Sequence, residues 1–133
     1  MFPLEVLPMP ISLLVLAAVF WVLARMGAAG TLKRNGFFGI RTSATMQSDV
    51  AWKAGHKAAA PGIRIGALVQ LFGAVLVVVL AFTTQDADVA VITGLVVMMM
   101  SVLGLLLVST TTATTAANEA HDTWKREHSD DQK

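Results

Sequence analysis

The sequence predicts an all-α integral membrane protein, with three transmembrane helices plus a short cytoplasmic interfacial amphipathic helix. Three observations lead there. Of the 133 residues, 55% are hydrophobic and only 14% are charged, whereas a soluble domain carries about 25% charged residues. Three long stretches contain no charged side chain at all. All ten Lys and Arg residues fall outside those stretches, at one end of each crossing. The absence of Cys excludes a disulfide scaffold and any thiolate site. The chain reads as a single membrane domain over 1–133, with spans at about 8–26, 63–84 and 88–110.

The first uncharged run is Val6 to Ala24, 19 residues, with Pro8 and Pro10 at its start. Proline is accepted in a first helical turn, where its missing N–H has no partner to lose, so the helix starts near Pro8 or Pro10 and extends to about Met26. Ala28-Ala29-Gly30 has the look of a signal-peptide cleavage site, but the only charged side chain before the run is the acid Glu5. A signal peptide wants positive charge there, so an uncleaved helix is the better reading. The second run, Ile65 to Gln85, has 21 residues, and the third, Val89 to Asn118, has 30. About 20 apolar residues carry a helix across roughly 30 Å of hydrocarbon.

Arg25, Lys33, Arg34, Arg41, Lys53, Lys57 and Arg64 lie between spans one and two, and Lys125, Arg126 and Lys133 follow span three. The short second connection holds only Asp86 and Asp88. The positive-inside rule therefore places the N-terminus outside, with the motif loop 27–62 and the tail 118–133 in the cytoplasm.

Within the spans, Gln70 is the one strongly polar residue of the second, and Gly62-x-x-x-Gly66 lets another helix approach closely. Met98-Met99-Met100 reads as deformable packing. Thr110 to Thr115 are expected to bond back to their own helix or across to a neighbour. No Asp, Glu or His lies inside a span to relay protons, which argues against a pump or an ion-coupled transporter.

The loop is the informative part. Phe37, Phe38 and Ile40 beside Lys33, Arg34 and Arg41 suit a segment at headgroup level. From Ser48, an N-cap followed by Asp49 starts a short amphipathic helix that Pro61 and Gly62 are expected to end, with Trp52 as its interfacial anchor. Arg41, Thr42, Thr45 and Ser48 gather a guanidinium and hydroxyls near a helix N-terminus, a set able to hold an anion. The alternative is that Arg41 pairs with Asp49 or caps carbonyls while the hydroxyls organise a turn. His56 is a lone imidazole that could titrate near neutral pH.

The ordered set Asn35, Gly39-Ile40-Arg41-Thr42, Thr45, Ser48, Trp52 and His56 resembles the SdpI family of small bacterial membrane proteins. The resemblance covers roughly 31–62 and the hydrophobic span on each side. It implies a membrane binding protein and marks Asn35, Gly39, Arg41, Thr42, Thr45, Ser48, Trp52 and His56 as ligand- or partner-binding candidates. The family's namesake is an immunity protein that protects a Bacillus cell from the secreted SdpC toxin peptide, and it is linked to membrane sequestration of a transcriptional repressor. That namesake has more membrane spans than this chain.

The tail is expected to extend the third helix and fray near Ser129. Trp124-Lys125-x-x-His128 echoes Trp52-Lys53-x-x-His56, but two copies with different flanks do not make a repeat. His56, His121 and His128 lack a standard metal-ligand spacing. No nucleophile–base pair, phosphate-binding glycine loop or paired carboxylates stand out, so neither an enzyme nor a cofactor is expected. The expected partners are lipid headgroups, with a toxin peptide, a larger membrane complex or further copies of the chain as alternatives. Nucleic acid is not expected, because lipid headgroups account for the basic residues. An accessory subunit of a larger membrane complex is the rival to the binding-protein reading.

Overall fold

The computed structural model describes residues 4–84 and 86–130. Gln85, at the end of the second run, and Lys133, in the tail, lie outside the described residues. After a single 3-10 turn over Leu4–Val6, the chain forms α1 (Pro8–Ala29), α2 (Ser43–Met46), α3 (Asp49–Thr83) and α4 (Ala87–Asp130). α1, α3 and α4 are each long and apolar enough to cross a membrane, and the protein is a multi-pass, all-helical membrane protein.

Each helix end has a local cause. α1 carries prolines in its first turn and stops at Gly30, whose φ of +67° favours glycine. The Met26 carbonyl there accepts N–H groups from Thr31 at 3.0 Å and Leu32 at 3.3 Å. α2 is opened by a capping box, in which Thr42 and Thr45 each accept the other's backbone N–H. Ser48 caps α3 by accepting the Ala51 N–H at 3.1 Å. Asp86 caps α4, accepting the N–H groups of Asp88 at 3.0 Å and Val89 at 3.2 Å.

The expected short interfacial helix does not exist as a separate element. Residues 49–60 are the first third of α3, which runs on through Pro61 without a break. The ring of Pro61 sits on the exposed side, while Ala59, Ala60 and Ile63 around it are buried. An interior proline costs a helix about 3 kcal/mol in isolation. Packing of its neighbours against Ala24 and Ala113 holds the helix together here.

α3 is the central helix: α1 packs on one side, α4 on the other, and the two outer helices scarcely meet. Its inner surface is built from small residues, including Gly55, Ala59, Gly66, Ala67, Gly73 and Ala74. Phe72, Val75 and Val79 face outward. In lipid, large apolar groups gain little by turning inward, so close approach of backbones drives association. At Gly66 a Cβ would stand 2.8 Å from Leu105 Cδ1, so the helix admitted by Gly62-x-x-x-Gly66 is α4. Gln70 is fully buried and donates from Nε2 to Ser101 Oγ at 2.8 Å, joining α3 to α4. Its Oε1 and the Ser109 hydroxyl are buried without a hydrogen-bond partner among the described residues.

The remaining span expectations resolve simply. Met98 packs against the core at the far end, while Met99 and Met100 are exposed. Thr111 and Thr112 bond back to carbonyls one turn earlier, whereas Thr114 reaches across to Thr42 at 3.3 Å.

Candidate functional site

The loop between α1 and α3 folds over the basic end of the bundle and is fastened there by its own motif residues. Trp52 lies on the inner side of α3, 1% exposed, and donates from Nε1 to the Leu32 carbonyl at 2.8 Å. It is therefore a core residue and not an interfacial anchor. The burial of its indole against the returning loop is what overturns that expectation.

His56 sits one turn further along α3, with its ring centroid 4.1 Å from that of Trp52. Its Nε2 accepts the Ile40 backbone N–H at 2.8 Å, and its Nδ1 lies 2.8 Å from the Trp52 carbonyl. An N–H donor on one ring nitrogen and a carbonyl on the other require the neutral tautomer with its proton on Nδ1. Gly39, at φ +107°, lies flat against these two rings. A Cβ there would stand 3.0 Å from Trp52 and clash with His56 Nε2.

The hydroxyl residues complete the fastening. Thr45 is fully buried, and its Oγ1 donates to the Ile40 carbonyl at 2.7 Å while accepting the Thr42 N–H at 3.0 Å. Ile40 is thus bonded at its N–H by His56 and at its carbonyl by Thr45. Asn35 Oδ1 accepts the N–H groups of Phe37 at 2.8 Å and Phe38 at 2.7 Å, which shapes the loop tip. Arg41 donates to the Gly36 carbonyl at 2.6 Å. Arg34 Nε, not Arg41, pairs with Asp49, at 3.1 Å. Of the two internal contacts expected of Arg41, the carbonyl bond is the one present, and the hydroxyls organise a turn.

α4 supplies a third wall. Ser48 Oγ is 3.1 Å from His121 Nδ1, Gln47 donates to Asn118 Oδ1 at 3.1 Å, and a Cβ at Gly55 would meet the Ala113 carbonyl at 2.9 Å. The three histidines serve separate places. His56 is in the clasp and His121 is beside Ser48, while His128 Nδ1 lies 2.9 Å from the Trp124 carbonyl.

The structure therefore brings all eight motif residues into one clasp. Asn35 and Arg41 act at its exposed tip, and Gly39, Thr42, Thr45, Ser48, Trp52 and His56 act at its root. Sequence reasoning did not place Leu32, Arg34, Asn118 or His121 in the clasp, and it gave the cross-helix bond expected of the Thr110 to Thr115 run no particular partner. Leu32 takes part through a backbone carbonyl, and the others pair with residues 15 or more positions away or with main-chain groups, so no spacing rule marks them.

A family model for the SdpI/YfhL protein family matches residues 31–116. That range takes in the clasp, α3 and most of the apolar part of α4. No curated protein and no solved structure matches the chain.

Proposed function

The chain belongs to the SdpI/YfhL protein family, and from that premise we propose that it is a membrane binding protein that protects a bacterial cell from a membrane-active peptide. The observation that carries this reading is an exposed loop tip held on a hydrogen-bonded root. Arg41 is exposed, and Phe37 and Phe38 are 90% and 62% exposed, on a loop whose root is fastened to all three long helices. A cation beside two aromatics on a fixed support suits an amphipathic peptide at the membrane surface. The family namesake's immunity role points the same way. The clasp spends its hydroxyls and imidazole on internal hydrogen bonds, which supports binding over catalysis.

In this reading the protein sits in the bacterial cytoplasmic membrane, with the N-terminus outside and the clasp and C-terminus inside. The chain has no Cys, so single introduced cysteines report sidedness cleanly. Lys57→Cys should react with an impermeant thiol reagent only in opened cells, and Asp88→Cys in intact ones. The opposite pattern rejects the orientation.

The functional test is expression in a strain sensitive to a secreted membrane-active peptide. Wild type should confer resistance, and Arg41→Ala should lose it at an unchanged protein level. No protection, together with co-purification of a stoichiometric larger membrane complex, would replace this reading with that of an accessory subunit.

A further inference from the structure

Two cavities of different character meet at Leu32 and Lys33, beside the clasp. One, of about 640 Å³, is an open groove along the outer side of α1 past Ala18, Val22, Leu23 and Met26, with Phe38 of the loop among its lining residues. From Ala18 to Met26 the helix rises about 12 Å. The other, of about 320 Å³, is lined by Lys33, Arg34 and Lys53 together with Asp49 and Trp52. Leu32 and Lys33 line both.

The charges of the second cavity do not balance. Three cations face one carboxylate, and that carboxylate is paired with Arg34 at 3.1 Å, which leaves Lys33 and Lys53 as the surplus. A ligand matching both cavities needs an elongated apolar part and an anionic head, joined at the Leu32–Lys33 ridge. We propose that this junction is a docking site for one anionic phospholipid. An acyl chain lies along α1 under Phe38, and the phosphate rests among Lys33, Arg34 and Lys53.

The two halves contribute differently. An acyl chain loses no water on leaving the surrounding bilayer, so the apolar groove acts by shape and contact. Selectivity comes from the head, because each cation near the membrane surface is worth about fivefold in affinity for anionic lipid. This inference needs the chain to sit in a membrane, and it stands or falls independently of peptide protection.

The test is reconstitution of the full chain in nanodiscs of equal phosphatidylglycerol and phosphatidylcholine, followed by gentle extraction and native mass spectrometry. Wild type should retain one phosphatidylglycerol in preference to phosphatidylcholine. The double variant Lys33→Gln/Lys53→Gln should lower that preference about 25-fold, two steps of fivefold. Lys125→Gln/Arg126→Gln, which removes the same charge from the exposed tail, should leave it unchanged. Val22→Trp, at a position 53% exposed, should expel the lipid by obstructing the groove midway between Ala18 and Met26.

Equal retention of the two lipids by wild type overturns the proposal without reference to any variant. So does a tail variant that loses preference as fully as the loop variant, or a Val22→Trp protein that keeps its lipid. Complete displacement by soluble glycerol phosphate would identify a free-anion site and overturn lipid docking.

Discussion

The backbone N–H of Ile40 donates to Nε2 of His56 at 2.8 Å, so one imidazole on α3 holds the middle of the loop against the bundle. His56 is 2% exposed, and removing its ring leaves a buried N–H without an acceptor as well as a void. His56→Ala should therefore cost about 2–4 kcal/mol. His56→Gln, whose carbonyl reaches the same point, should recover part of that loss. Thermal unfolding of the purified protein in detergent measures both, and equal losses would remove the hydrogen bond from the explanation.

Gly39 and Gly30 separate backbone strain from contact. Both have positive φ, but a Cβ at Gly30 meets nothing within 4 Å, whereas one at Gly39 runs into Trp52 and His56. Gly30→Ala should cost about 1–2 kcal/mol, the ordinary penalty of a left-handed residue. Gly39→Ala should cost clearly more. Matching unfolding midpoints for the two variants would show that the rings yield freely.

Trp52→Phe keeps an aromatic ring against His56 and deletes the Nε1–H that the Leu32 carbonyl accepts. Loss of a buried hydrogen bond of this kind costs about 1–3 kcal/mol. The loss should be local, seen as faster amide exchange in the loop beside Leu32 with little change in α4. Uniformly faster exchange across the three long helices would instead make Trp52 a support for the whole bundle.

Gly55 and Gly104 test the idea that small residues set the helix spacing. A Cβ at Gly55 would stand 2.9 Å from both the Ala113 carbonyl and Thr45 Cγ2, while Gly104 has open space around it. Gly55→Ala should destabilise the protein by pushing α4 and α2 away from α3. Gly104→Ala should be neutral or stabilising by up to about 1 kcal/mol, the helix-propensity gain alone. Unfolding curves in the same detergent compare the two, and a harmless Gly55→Ala would refute the close-packing account.

Much of this architecture was legible from the residues themselves. Uncharged runs located the apolar parts of the three long helices, Pro8 or Pro10 was expected to start α1, which begins at Pro8, and Ser48 was expected to cap a short helix that proves to be the start of α3. Thr42 and Thr45 stood out as hydroxyls suited to an anion or a turn, but the capping box they form at the start of α2 was not legible, because Thr45 stands where the usual pattern has Glu or Gln. Pro61 misled, because a proline that ends an isolated helix is carried through one whose flanking Ala59 and Ile63 are packed on both sides. Trp52 misled for a related reason. An aromatic in a basic, helical segment suits the interface by composition, and only the return of Leu32 over its indole buries it.

By itself, then, the sequence determined that three long apolar helices form, that α1 begins at its prolines and that Ser48 caps a helix. These depend on local chemistry, namely hydropathy, caps and the reach of short side chains. The tertiary structure alone decided that the motif closes into a clasp, that Arg34 and not Arg41 meets Asp49, and that α3 stands between α1 and α4. Those outcomes rest on main-chain carbonyls and close helix contacts between residues far apart in the chain, and such partners exist only once the helices have packed.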